Sequence, residues 1–176
     1  MERRRFSGHS HRVSLTAMFA ALSLIFLYLS AILPTGRLAM YFLSSIFVAG
    51  LLVEHQPALA ALLWVIVSGL GLLIVPNLLM VLPYALLFGH YGIGKYFIEK
   101  LRDKVTAFVL KLIYFNVFFG AVYLLAGEIL LGSLMEKLQL WMVIALVQVA
   151  FVVYDFLYSR VVLLYERRIR PLLLRS

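Results

Sequence analysis

Apolar residues run along this chain in long blocks, and each block is closed by a short group of proline, glycine or charged residues. The closures are PTGR at 34–37, EHQ at 54–56, PN at 76–77 and the charged KYFIEKLRDK at 95–104. A helix that crosses a bilayer needs about 20 apolar residues, within a range of roughly 17–25. The blocks therefore predict an all-α integral membrane bundle of six transmembrane helices, over 13–33, 38–53, 57–75, 78–94, 105–131 and 140–164. They form a single transmembrane domain covering 1–176, with an interfacial basic segment at 95–104 and a basic tail at 165–176. Pro57 opens the third span, a first-turn position where its missing N–H costs nothing.

Composition agrees with this reading. Of 176 residues, 64% are hydrophobic and 14% charged, whereas a soluble domain of this size is about 45–50% apolar. Lys and Arg set the orientation, because positive loops stay on the cytoplasmic side. With the N-terminus inside, 14 of the 16 Lys and Arg residues fall on the cytoplasmic side, and only Arg37 and Lys137 fall outside. Both termini are then cytoplasmic. The run after MERRR is longer than the roughly 7–15 residues of a signal-peptide core, so it reads as an uncleaved first helix.

Several chemistries lack their residues. The chain has no cysteine, and none of its four histidines pairs at the i, i+4 spacing, which leaves no thiolate site and no helical His pair for a metal. The net charge of +8 is carried beside apolar spans, not on a soluble basic face, so nucleic acid is not an expected partner. GHYGIGK at 89–95 matches seven positions of the phosphate-binding G-x-x-x-x-G-K-[ST], but Tyr96 stands where the motif needs a hydroxyl ligand for Mg²⁺. No strand precedes it. Gly89, Gly92 and Gly94 read instead as sites of close helix packing or helix ending, and Lys95 as the start of the interfacial segment. Hydrolase and metalloprotease motifs are absent. The expectation is a non-enzymatic protein with no cofactor and no metal.

Three groups of residues are candidates for function. Ser14, Ala17 and Ala21 share one face of the first helix, with a small-x-x-x-small step from Ala17 to Ala21. Such a face lets a second helix approach closely, either in another subunit or within the bundle. Asp155 and Lys111 lie at membrane depth, where a charge is costly unless paired or hydrated. An Asp155–Lys111 pair, or Asp155 with Arg160, would form a structural clamp; a proton relay is the alternative. Asn116 and Gln148 are placed to bridge helices. Arg37, Asn77, Glu128 and Trp141 fall in the outer third on this topology. They offer a cation, an amide, a carboxylate and an aromatic for a small ligand pocket, or else ordinary loop chemistry with an interfacial Trp anchor.

Six spans with termini inside, the step LTAMFAAL at 15–22, the loop PTGR and the second helix LAMYFLSSIFVAGLL together resemble the substrate-binding S component of energy-coupling-factor (ECF) transporters. The stretch VPNLLMVLPYALLFGHYGIGKYFIEK is also similar to that of small membrane proteins from clostridial-type bacteria. The ECF resemblance implies a subunit of a bacterial cytoplasmic membrane that captures a small vitamin-like solute at the outer face. A transmembrane coupling partner with ATPase subunits would use the ATP. It also implies that Ala17 and Ala21 face that partner, and that Arg37 lies in the loop roofing the pocket. The chain is similar as well to MreD-like scaffold proteins, which implies membrane assembly without transport. The alternating charges of 95–104 suggest an amphipathic helix lying on anionic lipid.

Overall fold

The computed structural model describes the backbone of residues 2–33, 35–135 and 139–169, and the side chains of 13–33, 35–127, 139 and 141–168. Among the described residues the chain is all-α, with no strand. Six helices carry the fold: α1 (Glu2–Ile32), α2 (Arg37–Val53), α3 (Pro57–Ile74), α4 (Gly89–Ile98), α5 (Lys104–Met135) and α6 (Leu140–Leu164). Among the described residues, five apolar stretches are long enough to cross a membrane: Val13–Ile32, Pro57–Ile74, Leu78–Ile98, Lys104–Gly127 and Trp141–Arg168. The second expected span is the 17-residue α2. At 1.5 Å per residue it measures roughly 25 Å, shorter than a hydrocarbon core of about 30 Å.

Local chemistry accounts for the element boundaries. Gly36 precedes α2 with φ 79°, a left-handed geometry that glycine adopts without strain. Pro57 begins α3. Asp103 caps α5, its carboxylate accepting from the Val105 and Thr106 amides at 3.2 and 3.0 Å and from the Thr106 hydroxyl. These bonds to the charged form hold its carboxyl below the usual range. α5 bends at Ala126, whose φ and ψ are −140° and 16°.

The fourth span is built in pieces. Asn77 Oδ1 caps a short 3₁₀ turn, Leu78–Met80, through the Leu79 amide at 3.0 Å. A π turn, Tyr84–Phe88, follows Pro83. Widening the helix here frees carbonyls from the regular ladder. Side chains from the bundle then occupy them: Trp64 donates to the Ala85 carbonyl at 3.0 Å, and His90 binds that of Leu86. His90 Nε2 donates to that carbonyl, and its Nδ1 shares a hydrogen bond with the Tyr114 hydroxyl at 2.6 Å.

Consecutive helices run antiparallel. Phe19 lies against Gly50 and Ser23 against Ser44 across α1 and α2; Phe115 stacks on Phe151 across α5 and α6, ring centroids 4.2 Å apart. α2 occupies the middle, touching α1, α3, α4 and α6. Tyr41, Val48, Leu51 and Leu52 of α2 are all buried. The segment through α4 is the other interior element, and the remaining spans turn most of their surface outward. In lipid, association rests on close packing and interhelical hydrogen bonds, each of the latter contributing about 0.6 kcal/mol. Ser23, Ser44 and Tyr84 supply such bonds at 2.8 to 3.1 Å.

The first span lies where expected, over Val13–Ile32, on a helix that begins at Glu2. Two sequence expectations change. The fourth helix continues through Ile98 instead of ending near 94, and 95–104 does not form a separate interfacial helix: Lys95 belongs to the last turn of α4, and Glu99–Asp103 turn the chain into α5. Lys95 points inward because burying it opposite Asp155 satisfies its charge. The second concerns α1. Ser14, Ala17 and Ala21 are exposed, while Phe19, Ser23, Leu27 and Ser30 form the packed side. Packing of the small-residue face inside the bundle is therefore overturned.

Candidate functional site

Tyr91, Lys95 and Glu99 fall at four-residue steps, so α4 places them in one stripe. On α6, Asp155 and Ser159 are also four residues apart, and Lys111 of α5 completes the group. Lys95 is 4% exposed and its ammonium meets Asp155 Oδ1, the Asp155 carbonyl at 3.1 Å and Ser159 Oγ at 2.7 Å. Lys111 Nζ reaches Asp155 Oδ2 at 2.8 Å and Glu99 Oε1 at 3.1 Å. The Tyr91 hydroxyl donates to Asp155 Oδ1 at 2.7 Å, and Glu99 stands 3.4 Å from Lys95. Two ammonium groups thus face two carboxylates, and the group is formally neutral. A lone charge at the centre of a membrane helix costs about 2.5–3.5 kcal/mol on insertion scales. Mutual pairing removes most of that cost, and the network ties α4, α5 and α6 together. Lys95 also lies in the last turn of α4, where the helix dipole favours a cation.

The three glycines of GHYGIGK make this approach possible. A Cβ at Gly89 would strike the Trp64 ring of α3, one at Gly92 the Tyr158 hydroxyl of α6, and one at Gly94 the Tyr114 ring of α5. The motif that looks like a phosphate loop is a helix made thin on three sides.

Beside the network lies a cavity of about 450 Å³. It exists because α2 stops at Val53 while α6, parallel to it, continues through Leu164 into the π turn Tyr165–Ile169. Ala49, Leu52, Val53 and Val162 give it apolar walls; Lys95, Tyr96, Glu99, Tyr158, Ser159 and Glu166 supply polar atoms and rings.

The structure brings Asp155 and Lys111 together. Arg160 takes no part; its guanidinium sits over the Phe156 ring at 4.9 Å. Asn116 and Gln148 bridge α5 and α6 at 2.6 Å. The candidate ligand residues keep local partners: Arg37 Nε donates to the Leu33 carbonyl at 3.4 Å, Asn77 caps Leu79, and Trp141 Nε1 donates to Gln139 at 2.6 Å. Among the described residues, no hydrogen bond joins these three to one another. The side chain of Glu128, together with Pro34, Lys137 and the tail from 170, lies outside the described residues. Sequence reading missed Lys95, Tyr91, Glu99 and Ser159 as network members. The signal was the four-residue spacing, which puts Tyr91, Lys95 and Glu99 on one stripe and Ser159 below Asp155.

Fold and site together define a class: an all-α, multi-pass membrane protein with a charge-paired interior. Comparison with family models, with curated proteins and with solved structures yields no match.

Proposed function

We propose that this chain is the solute-binding membrane subunit of an ECF-type uptake transporter, non-enzymatic itself, working with a transmembrane partner that carries ATPases. The observation that carries this reading is the outward position of Ser14, Ala17 and Ala21 on α1. Small residues on a lipid-facing surface gain nothing from lipid, but they let a second helix approach within packing distance. Arg37, Asn77, Glu128 and Trp141 remain the proposed outer ligand residues, and the solute is a small vitamin-like molecule. The proposed setting is the bacterial cytoplasmic membrane with both termini inside. Support comes from the basic residues, since Lys100, Arg102, Lys104, Arg167 and Arg168 lie at the end of the bundle where α4 and α6 finish. Asp155 and Lys111, joined by Lys95, are proposed as the structural clamp of the half made by α4, α5 and α6.

A second reading, an MreD-like scaffold without transport, is favoured by the local bonding of the three described outer residues. Mild-detergent purification of the tagged chain from its native membrane, with mass spectrometry of bound proteins and small molecules, separates the two. The transporter reading expects a transmembrane protein with two ATPases; cell-wall or cytoskeletal proteins without an ATPase would replace it by the scaffold.

A further inference from the structure

We infer that the lipid-facing groove between α5 and α6 is the contact surface for a second copy of this chain. The two copies meet at Asn116 and Gln148, about a two-fold axis along the membrane normal. Asn116 falls at the middle of the span Lys104–Gly127, a stretch that turns most of its surface outward. Gln148 is bonded to it from α6, and the rim around both is apolar and exposed: Ile113, Val117, Ile144 and Val149. Two amides at mid-depth on such a face are costly unless every polar atom is satisfied, because lipid supplies no hydrogen bonds.

Within one chain they are not all satisfied. Asn116 Nδ2 donates to the Leu112 carbonyl at 2.8 Å and to Gln148 Oε1 at 3.4 Å, and Asn116 Oδ1 accepts from Gln148 Nε2 at 2.6 Å. An amide nitrogen carries two N–H groups and its oxygen two lone pairs. Among the described residues, one N–H of Gln148 and a lone pair on each oxygen are therefore left over. That surplus holds both a donor and acceptors, so it is complementary to itself. A two-fold axis along the membrane normal sets every residue at the same depth as its copy. The free Gln148 N–H of each chain then meets an amide oxygen of the other. No residue from 112 to 127 or from 140 to 154 is charged, so nothing at this depth selects an ionic partner.

A second observation is steric. One turn outward from Asn116, a Cβ on Gly120 would meet nothing within 4 Å, whereas Gly89, Gly92 and Gly94 each lie against an aromatic side chain of a neighbouring helix. Glycine weakens a helix relative to alanine, and no contact among the described residues requires it at 120. Antiparallel pairing brings Ala145, three residues before Gln148, to the same level, and it too is exposed. The notch left by Gly120 and Ala145 admits the backbone of a second helix, the close approach on which association in lipid rests.

The test uses the full chain reconstituted in phosphatidylcholine vesicles. The chain has no cysteine of its own, so Arg102→Cys, in the exposed turn between α4 and α5, can carry a donor or an acceptor dye. Energy transfer between copies is expected, falling along a monomer–dimer curve as lipid is added. Gln148→Leu should weaken association about tenfold, the effect of two equivalent hydrogen bonds at about threefold each. Gly120→Leu should weaken it at least as much with the unfolding midpoint unchanged, which separates the interface from any misfolding of the Gln148 variant. On oxidation in native membranes, Ala145→Cys should link to its own copy, and Val65→Cys, exposed on α3, should not. The proposal is overturned by no transfer at any lipid ratio, by association unchanged in either Leu variant, or by equal linking at both cysteines. Linking of Ala145→Cys to another protein in place of its copy would overturn it as well. None of these outcomes bears on α1, which packs on α2 and α3 while α5 packs on α4 and α6.

Discussion

The ammonium of Lys95 is held by Asp155 twice over, by its side chain and by its main-chain carbonyl. The contact fixes α4 against α6 at one depth and one rotation, because a shift along either axis would lose both acceptors. Lys111 then attaches α5 to the second oxygen of the same carboxylate at 2.8 Å.

Replacing Lys95 by Met should destabilise the chain by about 3–5 kcal/mol, because it leaves two carboxylates facing a single ammonium in a partly buried site. Thermal or denaturant unfolding in mixed micelles would measure it. Adding Asp155→Asn to the Met variant should recover part of the loss, since one surplus charge is removed while an acceptor for Tyr91 stays. Unchanged stability in both variants would end the clamp reading.

Gly92→Ala should cost about 1–3 kcal/mol, the range for overpacking a filled site, because the added methyl meets the Tyr158 hydroxyl. Tyr158→Phe alone should be neutral or stabilising, as that buried hydroxyl has no hydrogen-bond partner among the described residues. In the double variant the loss at Gly92 should shrink. Equal and additive losses would contradict the contact.

Ala17→Trp and Ala21→Trp should leave the unfolding midpoint of the isolated chain unchanged, since both positions are exposed. Co-purification of the proposed transmembrane partner should fall to background. A partner retained by both folded variants would remove α1 from the docking role.

Ser44→Ala takes away bonds to the Ser23 carbonyl at 2.8 Å and the Ser23 hydroxyl at 2.9 Å. The expected loss is about 0.6–1.7 kcal/mol, the span seen for hydrogen bonds between membrane helices. Unfolding of the variant beside the parent in the same micelles gives the number.

Asp103 adds a pH-dependent element at the start of α5. Its carboxyl is held low by bonds from Thr106 and Val105, so the cap is complete above the ordinary carboxylate range and is lost as pH falls through that range and below it. Amide exchange at Val105 and Thr106, corrected for intrinsic rates, should lose protection on acidification. Asp103→Ala should show the low-pH behaviour at every pH.

Sequence alone located the six helices, because span length follows from bilayer thickness and each break is written as proline, glycine or charge, although it ended the fourth near 94 where the helix runs on through Ile98. It also singled out Asp155 and Lys111, since a charge among apolar residues needs a partner wherever the helices turn. What tertiary structure decided was rotation. A helix surrounded by lipid and other helices is apolar on nearly every side, so its pattern carries no stripe to tell inside from outside. Lys95 therefore read as interfacial although it is 4% exposed, and Ser14, Ala17 and Ala21 left both faces open until α1 turned Phe19 and Leu27 inward. The cavity was equally hidden. It arises from two parallel helices of unequal reach, α2 ending at Val53 and α6 running past Leu164, and only packing sets that difference side by side.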